Sequence, residues 1–452
     1  MTKYFGTNGI RGRFDELTPE LALRMAQAIG IYFGRGKILL ARDFRLTGPT
    51  LHSAVVSGLL SVGCRIVDLG IVSSPTAEFM VEKLKVDGLI IITASHNAPE
   101  WNALKVVDSD GIAVSRERGE EIEKIATKIN LAEWTNQGTL VDYKTATEEH
   151  TTAILKYAGF GNISKNTPGK NTEKKIKLVI DCGNGTASSI APVLMENCDC
   201  EVIAMNANPD GTFPGRPSEP SEINVADLIA SVKATKANAG IAWDGDGDRV
   251  IFVDETGSYV IGDKVVALSV LWLKEFFGIK TGDVVTTVAT SKAVNDVAKR
   301  CGFGVCYTAV GAPYLSEAIV SDIVLGGEEV GGVIWPDFSL AKDGFLTAAI
   351  LVKALEQKPL SKWLSEVPEY YNVKLKIVAH DAEKKEIVAK VRNYAVRNHL
   401  KMIDVDGVRI DFDDSWMIVR ASGTEEYVRI FAEARNLERA EKLAEEFRKL
   451  TQ

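Results

Sequence analysis

The sequence predicts an α/β protein: three similar mixed α/β sandwich domains followed by a smaller α+β domain. Three observations carry that reading. Short apolar runs alternate with longer helix-like segments, the alternation recurs twice more along the chain, and roughly the last 85 residues follow a different pattern. At roughly 100–200 residues per domain, a chain of 452 residues accommodates two to four domains.

In the first domain, TPELALRMAQAIG opens with Thr18-Pro19, a cap and a first-turn proline, and reads as a helix. KILLARD (37–43) reads as a buried strand, GPTLHSAVVSGLLSVG as a helix, and CRIVDLG (64–70) as a strand. Helix-like SPTAEFMVEKLK and strand-like DGLIIITA complete the unit. The second unit runs IKLVID, GTASSIAPVLMENC, CEVIAMN, NVADLIASVKATKA, AGIAW; the third runs DKVVALSVLWLKEFF, DVVTTVAT, KAVNDVAKRCG, GVCYTAV, DIVLGG. The tail has strand-like YYNVKLKIVAH, helical KKEIVAKVRNYAV, a hairpin signal around Asp413-Asp414, strand-like EEYVRIFAEA and the amphipathic helix NLERAEKLAEEFRKL. Boundaries fall at the Gly-, Asn- and Lys-rich segment after Lys156, near Asp254-Glu255, and near Lys358-Pro359 or Val367-Pro368. The resulting domains are 1–156, 157–255, 256–366 and 367–452.

Composition narrows the function. A formal net charge of −8 argues against a broad nucleic-acid or membrane surface. No stretch reaches the roughly 18 apolar residues of a membrane span, and MTKYFGTNGIRG lacks the apolar run of a secretion signal. The six cysteines form no CxxC pair, the pattern of reduced thiols in a cytoplasmic protein.

The chemistry concentrates in a few stretches. In WDGDGDRVIFVDE (243–255), Asp244, Asp246 and Asp248 alternate with glycines. Carboxylates so close repel one another unless a cation joins them, and hard oxygen ligands suit Mg²⁺ or Ca²⁺ better than Zn²⁺. An EF-hand is the competing reading, with Glu255 at the twelfth position. Arg249 stands where that loop requires glycine, and the flanks are strand-like instead of helical. An exposed acidic turn is the plainer alternative.

TASHNAPEWNALK (93–105) ends a buried run on Ser95. The nucleophile elbow GxSxG is absent, since Ala94 and His96 flank the serine. In an extended segment His96 would point away from Ser95 and serve poorly as its base. Helix capping is the plain role. Beside the aspartates, a phosphorylated Ser95 supplies the missing metal ligand, with Lys105, Arg11 and Arg249 balancing its charge. RASGTEEYVR (420–429) offers backbone N–H groups around Ser422, Gly423 and Thr424 plus the forks of Arg420 and Arg429, a set suited to a dianionic phosphate; a plain turn with two paired arginines is the alternative. GGEEVGG (326–332) permits close approach, and Glu328 can accept from sugar hydroxyls or a sugar ammonium.

In this order these motifs resemble the α-D-phosphohexomutase family, which includes phosphoglucomutases, phosphomannomutases and phosphoglucosamine mutases. The match covers nearly the whole chain: FGTNGIRG (5–12) with Arg11, TASHNAPEWNALK, DGDGDR (244–249), GGEEVGG and RASGT, with PDGTFPGRPSEP (209–220) similar to a segment of the second domain. The resemblance implies four domains around a central cleft. It implies that Ser95 is carried as phosphoserine, with Mg²⁺ between it and Asp244, Asp246 and Asp248. Catalysis then falls to Ser95, Lys105, His96, Arg11 and Arg249, with Lys105 ahead of His96 as proton handler because a nearby cation would lower its pKa. Substrate binding falls to Thr308, Gly311, Glu328, Val330, Arg420, Ser422, Gly423, Thr424 and Arg429. The expected ligand is a small sugar phosphate, the intermediate and activator a hexose 1,6-bisphosphate, and the assembly a monomer or homodimer.

The chain departs from the family at Val330, where Ser or Asn is usual, at Ala421 and Glu426, where prolines are usual, and at Ala309, often lysine. GGEEVGGVIWPD stands nearer the glucosamine-type members. A valine cannot read a hydroxyl, so relaxed specificity towards galactosamine, glucose and mannose phosphates is expected. A phosphatase working through phosphoserine, or a sugar-phosphate-binding regulator, is the rival reading.

Overall fold

The computed structural model describes residues 4–6, 9–161, 175–421 and 426–451. Two compact units emerge. The first combines residues up to 265 with Val330–Trp363, and the second combines Val266–Glu329 with the chain from Leu364 onward.

The first unit contains a seven-stranded sheet in the order Phe5–Gly6, Gly9–Arg13, Trp101–Asp108, Gly88–Ile92, Lys37–Arg42, Arg65–Ile71, Thr139–Asp142. Gly88–Ile92 is buried along its whole length because it lies between Lys37–Arg42, which is parallel, and Trp101–Asp108, which is antiparallel. Trp101–Asp108 carries Lys105 and was hidden from the sequence reading by the polar residues of the loop before it. The helix Pro19–Tyr32 starts as expected, with Thr18 accepting from the Leu21 N–H, and buries Ala22, Met25, Ala26 and Ile29 against the sheet's apolar core.

A five-stranded sheet follows in the same unit, ordered Tyr259–Val260, Val250–Asp254, Ala239–Trp243, Ile176–Asp181, Cys200–Met205. Ala239–Trp243 is also buried throughout, parallel to Ile176–Asp181 and antiparallel to Val250–Asp254. Both fully buried strands end at a polar loop, one at Thr93–Ser95 and the other at Asp244. The EF-hand alternative is excluded, since strands flank the acidic loop.

In the second unit Asp283–Thr287 lies parallel to both Gly304–Thr308 and Ile323–Glu328. A five-stranded antiparallel sheet is ordered Tyr371–Val378, Tyr427–Ala434, Ser415–Ala421, Val408–Asp411, Met402–Ile403. Its Val428, Ile430 and Ala432 face packs with Leu443, Ala444 and Phe447 of the helix Leu437–Thr451. No helix among the described residues is long and apolar enough to cross a membrane.

Candidate active site

Ser95 sits in a turn, not in extended chain. Its φ is +51°, a left-handed conformation uncommon for serine. Surrounding bonds hold it there: its N–H donates to Thr93 Oγ1 at 3.0 Å, and its carbonyl accepts from Arg45 Nη2 and Ser218 Oγ, each at 2.8 Å. The left-handed turn also changes the expected direction of His96. Its Nδ1 comes to 3.5 Å from Ser95 Oγ, at the outer limit of a hydrogen bond.

Arg45 locks the whole loop. Its Nη atoms reach the carbonyls of Ser95, Asn97, Ala98 and Trp101 at 2.6–3.0 Å, and its Nε reaches Asp43 Oδ2 at 3.0 Å. Neither side chain of that ion pair has appreciable contact with solvent. Arg216 plays the same part beside the acidic loop, donating to Asp181 Oδ2 at 2.8 Å and to the Trp243 carbonyl at 2.7 Å.

The two loops meet. Ser95 Oγ donates to Asp244 Oδ2 at 2.6 Å. Gly245 permits the approach, because a Cβ there would fall 2.7 Å from the Ser95 carbonyl oxygen. Gly247 has φ +80° and lies against the Phe345 ring, so a side chain would be excluded twice over. Lys105 Nζ donates to Asp246 Oδ2 at 2.6 Å and lies 3.8 Å from Asp248 Oδ2. Ser74 Oγ donates to the same Asp246 oxygen at 2.7 Å, and Lys342 Nζ lies 3.1 Å from Asp248 Oδ2.

The three aspartates each offer an oxygen within 4.8 Å of the others, and all three are buried. Burial and the charges of Asp246 and Asp248 push Asp244 well above the usual carboxylate range. Burial also opposes ionisation of Asp246, but Lys105, Ser74 and Lys342 outweigh it and hold that group well below the range. Asp248 is likewise lowered, with Lys342 the leading opponent of its burial. Thus the protein's own cations stabilise two negative charges here, and the third carboxylate favours its proton. Asp246 Oδ1 and Asp248 Oδ1 are buried without a hydrogen-bond partner. Two orphaned hard oxygens beside Asp244 and a serine hydroxyl fit a divalent cation of the Mg²⁺ type.

Burial works against the Lys105 ammonium, but the charges of Asp246, Asp248 and Glu78 raise its pKa above the ordinary value. This reverses the expected depression, because carboxylates, not cations, are its nearest neighbours. Arg11 Nη1 donates to Asn97 Oδ1 at 2.7 Å, and Arg249 Nη1 to Glu219 Oε2 at 2.8 Å.

The remaining sequence candidates lie apart from this cluster along the chain. Glu328 is buried at the end of the strand Ile323–Glu328, and Thr308 ends Gly304–Thr308, its hydroxyl donating to the Ala309 carbonyl at 3.0 Å. Gly311, at φ +141°, precedes the short helix Ala312–Glu317, while Val330 begins the segment that packs with the first unit. Arg420 and Arg429 stand directly opposite each other on antiparallel strands. Asp406 Oδ2 accepts from Arg420 Nη2 at 2.7 Å and from the Val310 N–H at 3.1 Å, tying the 308–311 turn to Arg420. Ser422, Gly423 and Thr424 lie outside the described residues. The sequence reading missed Arg45, Ser74, Ser218, Lys342 and Asp406. PDGTFPGRPSEP, singled out without a role, contains Arg216, Ser218 and Glu219 and was the available signal for Ser218.

Four family models match in chain order: phosphoglucomutase/phosphomannomutase α/β/α domain I over residues 2–133, domain II over 155–257, domain III over 261–371, and the C-terminal domain over 358–450. A probable phosphoglucosamine mutase of Methanopyrus kandleri is 42% identical over 452 residues, covering 99% of this chain and 97% of the relative. A phosphoglucomutase/phosphomannomutase of Thermococcus kodakarensis is 39% identical over 98% of this chain and 97% of its own. The crystal structure of a phosphoglucomutase/phosphomannomutase family protein from Burkholderia thailandensis superposes with a TM-score of 0.86 at 25% identity, covering 98% of this chain and 96% of that one.

Proposed function

This chain belongs to the phosphoglucomutase/phosphomannomutase family and is a phosphohexomutase, an intramolecular phosphotransferase; within that activity we propose that it interconverts the 6- and 1-phosphates of glucosamine through phosphorylated Ser95. The observation that supports this most is the Ser95 hydroxyl bonded to Asp244 beside two buried, unpartnered aspartate oxygens.

In this reading the hydroxyl oxygen of a hexose phosphate attacks the phosphorus of phosphoserine 95. The P–O bond to serine breaks, the sugar becomes a 1,6-bisphosphate, and the proton lost by the substrate hydroxyl balances the one taken up by the departing Ser95 oxygen. After the bisphosphate turns over, Ser95 Oγ attacks its other phosphorus and the product oxygen leaves. Asp244, Asp246, Asp248 and the serine oxygen would hold Mg²⁺, which when bound supplies charge stabilisation to the phosphoryl oxygens. Lys105, kept protonated by its carboxylate neighbours, is the leading proton handler as donor to the departing serine oxygen, and His96 is the second. Arg11 and Arg249 add positive charge, while Arg420 and Arg429, with Ser422, Gly423 and Thr424, take the phosphate that is not reacting. Thr308, Gly311, Glu328 and Val330 face the sugar. Domains of 1–156, 157–255, 256–366 and 367–452, a cytoplasmic location, and a monomer or homodimer belong to the same proposal.

Sugar identity rests on GGEEVGGVIWPD and on the phosphoglucosamine mutase names among the relatives. Intact mass, reaction products and sugar preference test the proposal. Intact mass should show one phosphate that Ser95→Ala loses; protein isolated without it should become active after treatment with a hexose 1,6-bisphosphate. Release of mainly free phosphate from hexose 6-phosphate would point to a phosphatase instead. Comparing kcat/KM for glucosamine, galactosamine, glucose and mannose phosphates tests specificity: a preference above about a thousandfold for one sugar sinks the relaxed reading attached to Val330.

A further inference from the structure

Each carboxylate of the triad has one oxygen held by a donor from a distant segment. Ser95 holds Asp244 Oδ2, Lys105 and Ser74 hold Asp246 Oδ2, and Lys342 holds Asp248 Oδ2. The first three anchors come from the motif loop, its following strand and the start of the helix Ser74–Leu84. Lys342 comes from none of the motifs that identify the family in this sequence. We infer that Lys342 is a positioning residue for the divalent cation, acting through Asp248.

Lys342 is 6% exposed, and a buried ammonium on a long flexible stem is costly unless a specific partner compensates it. The chain fixes the point from which it reaches. Lys342 bridges Ile334 in antiparallel register. The next residue, Asp343, caps the helix Gly344–Leu355, its Oδ1 accepting from the Phe345 and Leu346 N–H groups at 2.9 Å each. Asp343 Oδ2 lies 2.9 Å from Nε2 of the fully buried His150, whose Nδ1 lies 3.0 Å from Thr76 Oγ1. Anchored this firmly, the lysine fixes the rotation of the Asp248 carboxylate through Oδ2. Oδ1 then stays buried with no hydrogen-bond partner, with Arg249 Nε 4.0 Å away. Like charge between Lys342 and a divalent cation acts in the opposite direction. The division of labour between the two oxygens, one taken and one left, decides for positioning.

The inference rests on the proposed metal reading, and the test separates the two. Binding of Mn²⁺ to the full chain is followed by electron paramagnetic resonance of the free ion, without turnover, for wild type, Lys342→Met and Lys342→Arg. Melting in EDTA verifies that each is folded, and Lys342→Gln replaces the Met variant if that one is not, judged on the same constant. Loss of an outer partner of a metal ligand typically costs about 10–100-fold in affinity, so the Met variant's Kd should rise by that factor and the Arg variant's by less. In activity assays most of the Met variant's deficit should disappear at high Mg²⁺, leaving kcat nearer wild type than the Mg²⁺ requirement. A folded Met variant that binds Mn²⁺ as tightly as wild type, or more tightly, overturns the inference and leaves the metal reading standing. Wild-type protein that binds no Mn²⁺ overturns both.

Discussion

Around Ser95 the first unit sets every carboxylate of the triad against a donor, whereas the second unit places Arg420 directly opposite Arg429, like charge facing like. Lys376 faces Arg429 from the other side, so three cations run in one row across three strands. Cross-strand pairs of like charge destabilise a sheet; Asp406 offsets charge at the Arg420 end, and Arg429 Nη2 donates to the Tyr427 hydroxyl at 3.0 Å. In the proposed reading the first arrangement is the reaction centre, its geometry fixed before substrate arrives, and the second is the recognition surface, whose repulsion a dianion would relieve.

The largest expected effect tests whether chemistry belongs to the first region alone. Ser95→Ala should lower turnover by at least about 10⁴-fold, as loss of a nucleophile does, while leaving sugar-phosphate binding measurable by calorimetry. If binding disappears with turnover, the division between the two regions is wrong.

Next comes the loop clamp. Arg45→Met removes four carbonyl contacts around Ser95 and strands the buried Asp43. Breaking a buried pair in this way costs about 3–5 kcal/mol, so a lower Tm should accompany a lower kcat. A variant that melts like wild type would show that Ser95 holds its left-handed turn without the clamp.

Arg429→Gln should behave in the opposite way. A charged hydrogen bond to phosphate contributes about 1.5–3 kcal/mol, hence KM should rise roughly 10–100-fold, with kcat less affected. Relief of like-charge crowding should keep the Tm of the free protein from falling, while the rise in Tm on adding sugar phosphate shrinks. A fall in Tm without ligand would mean that Arg429 is structural.

The sequence disclosed the parts whose chemistry is local. Asp244, Asp246 and Asp248 alternate within one turn, and Ser95 and Lys105 share one loop and its following strand, so the residue types alone announced them. The buried strands Ile176–Asp181 and Ala239–Trp243 coincide with the apolar runs that predicted them. What remained hidden depends on tertiary approach. Lys342 meets Asp248 only because Val330–Trp363 packs with the first unit, and Ser74 reaches Asp246 from the first turn of a helix that no motif marks. The expected direction of His96 failed because it assumed an extended Ser95, and φ +51° comes from the surrounding Arg45, Ser218 and Thr93 bonds rather than from any residue preference.

The smallest effect concerns His96 and separates a proton handler from a neutral neighbour. Burial first, then the positive charges of Arg249 and Arg11, hold its pKa down at about 3 against an ordinary 6.5. The folded imidazole is therefore neutral at working pH. Between pH 6.5 and 3 the unfolded chain takes up a proton that the folded chain refuses. This group's contribution to stability is thus whole above 6.5 and declines as pH falls through that window. His96→Gln should lose less Tm than wild type between pH 7 and pH 5. The kcat/KM profile of wild type should show no acidic limb near 6.5 that the variant abolishes. If such a limb exists and vanishes in the variant, His96 moves the proton and takes precedence over Lys105. The reaction centre would then contain a group that titrates at working pH, instead of charges settled by their neighbours in advance.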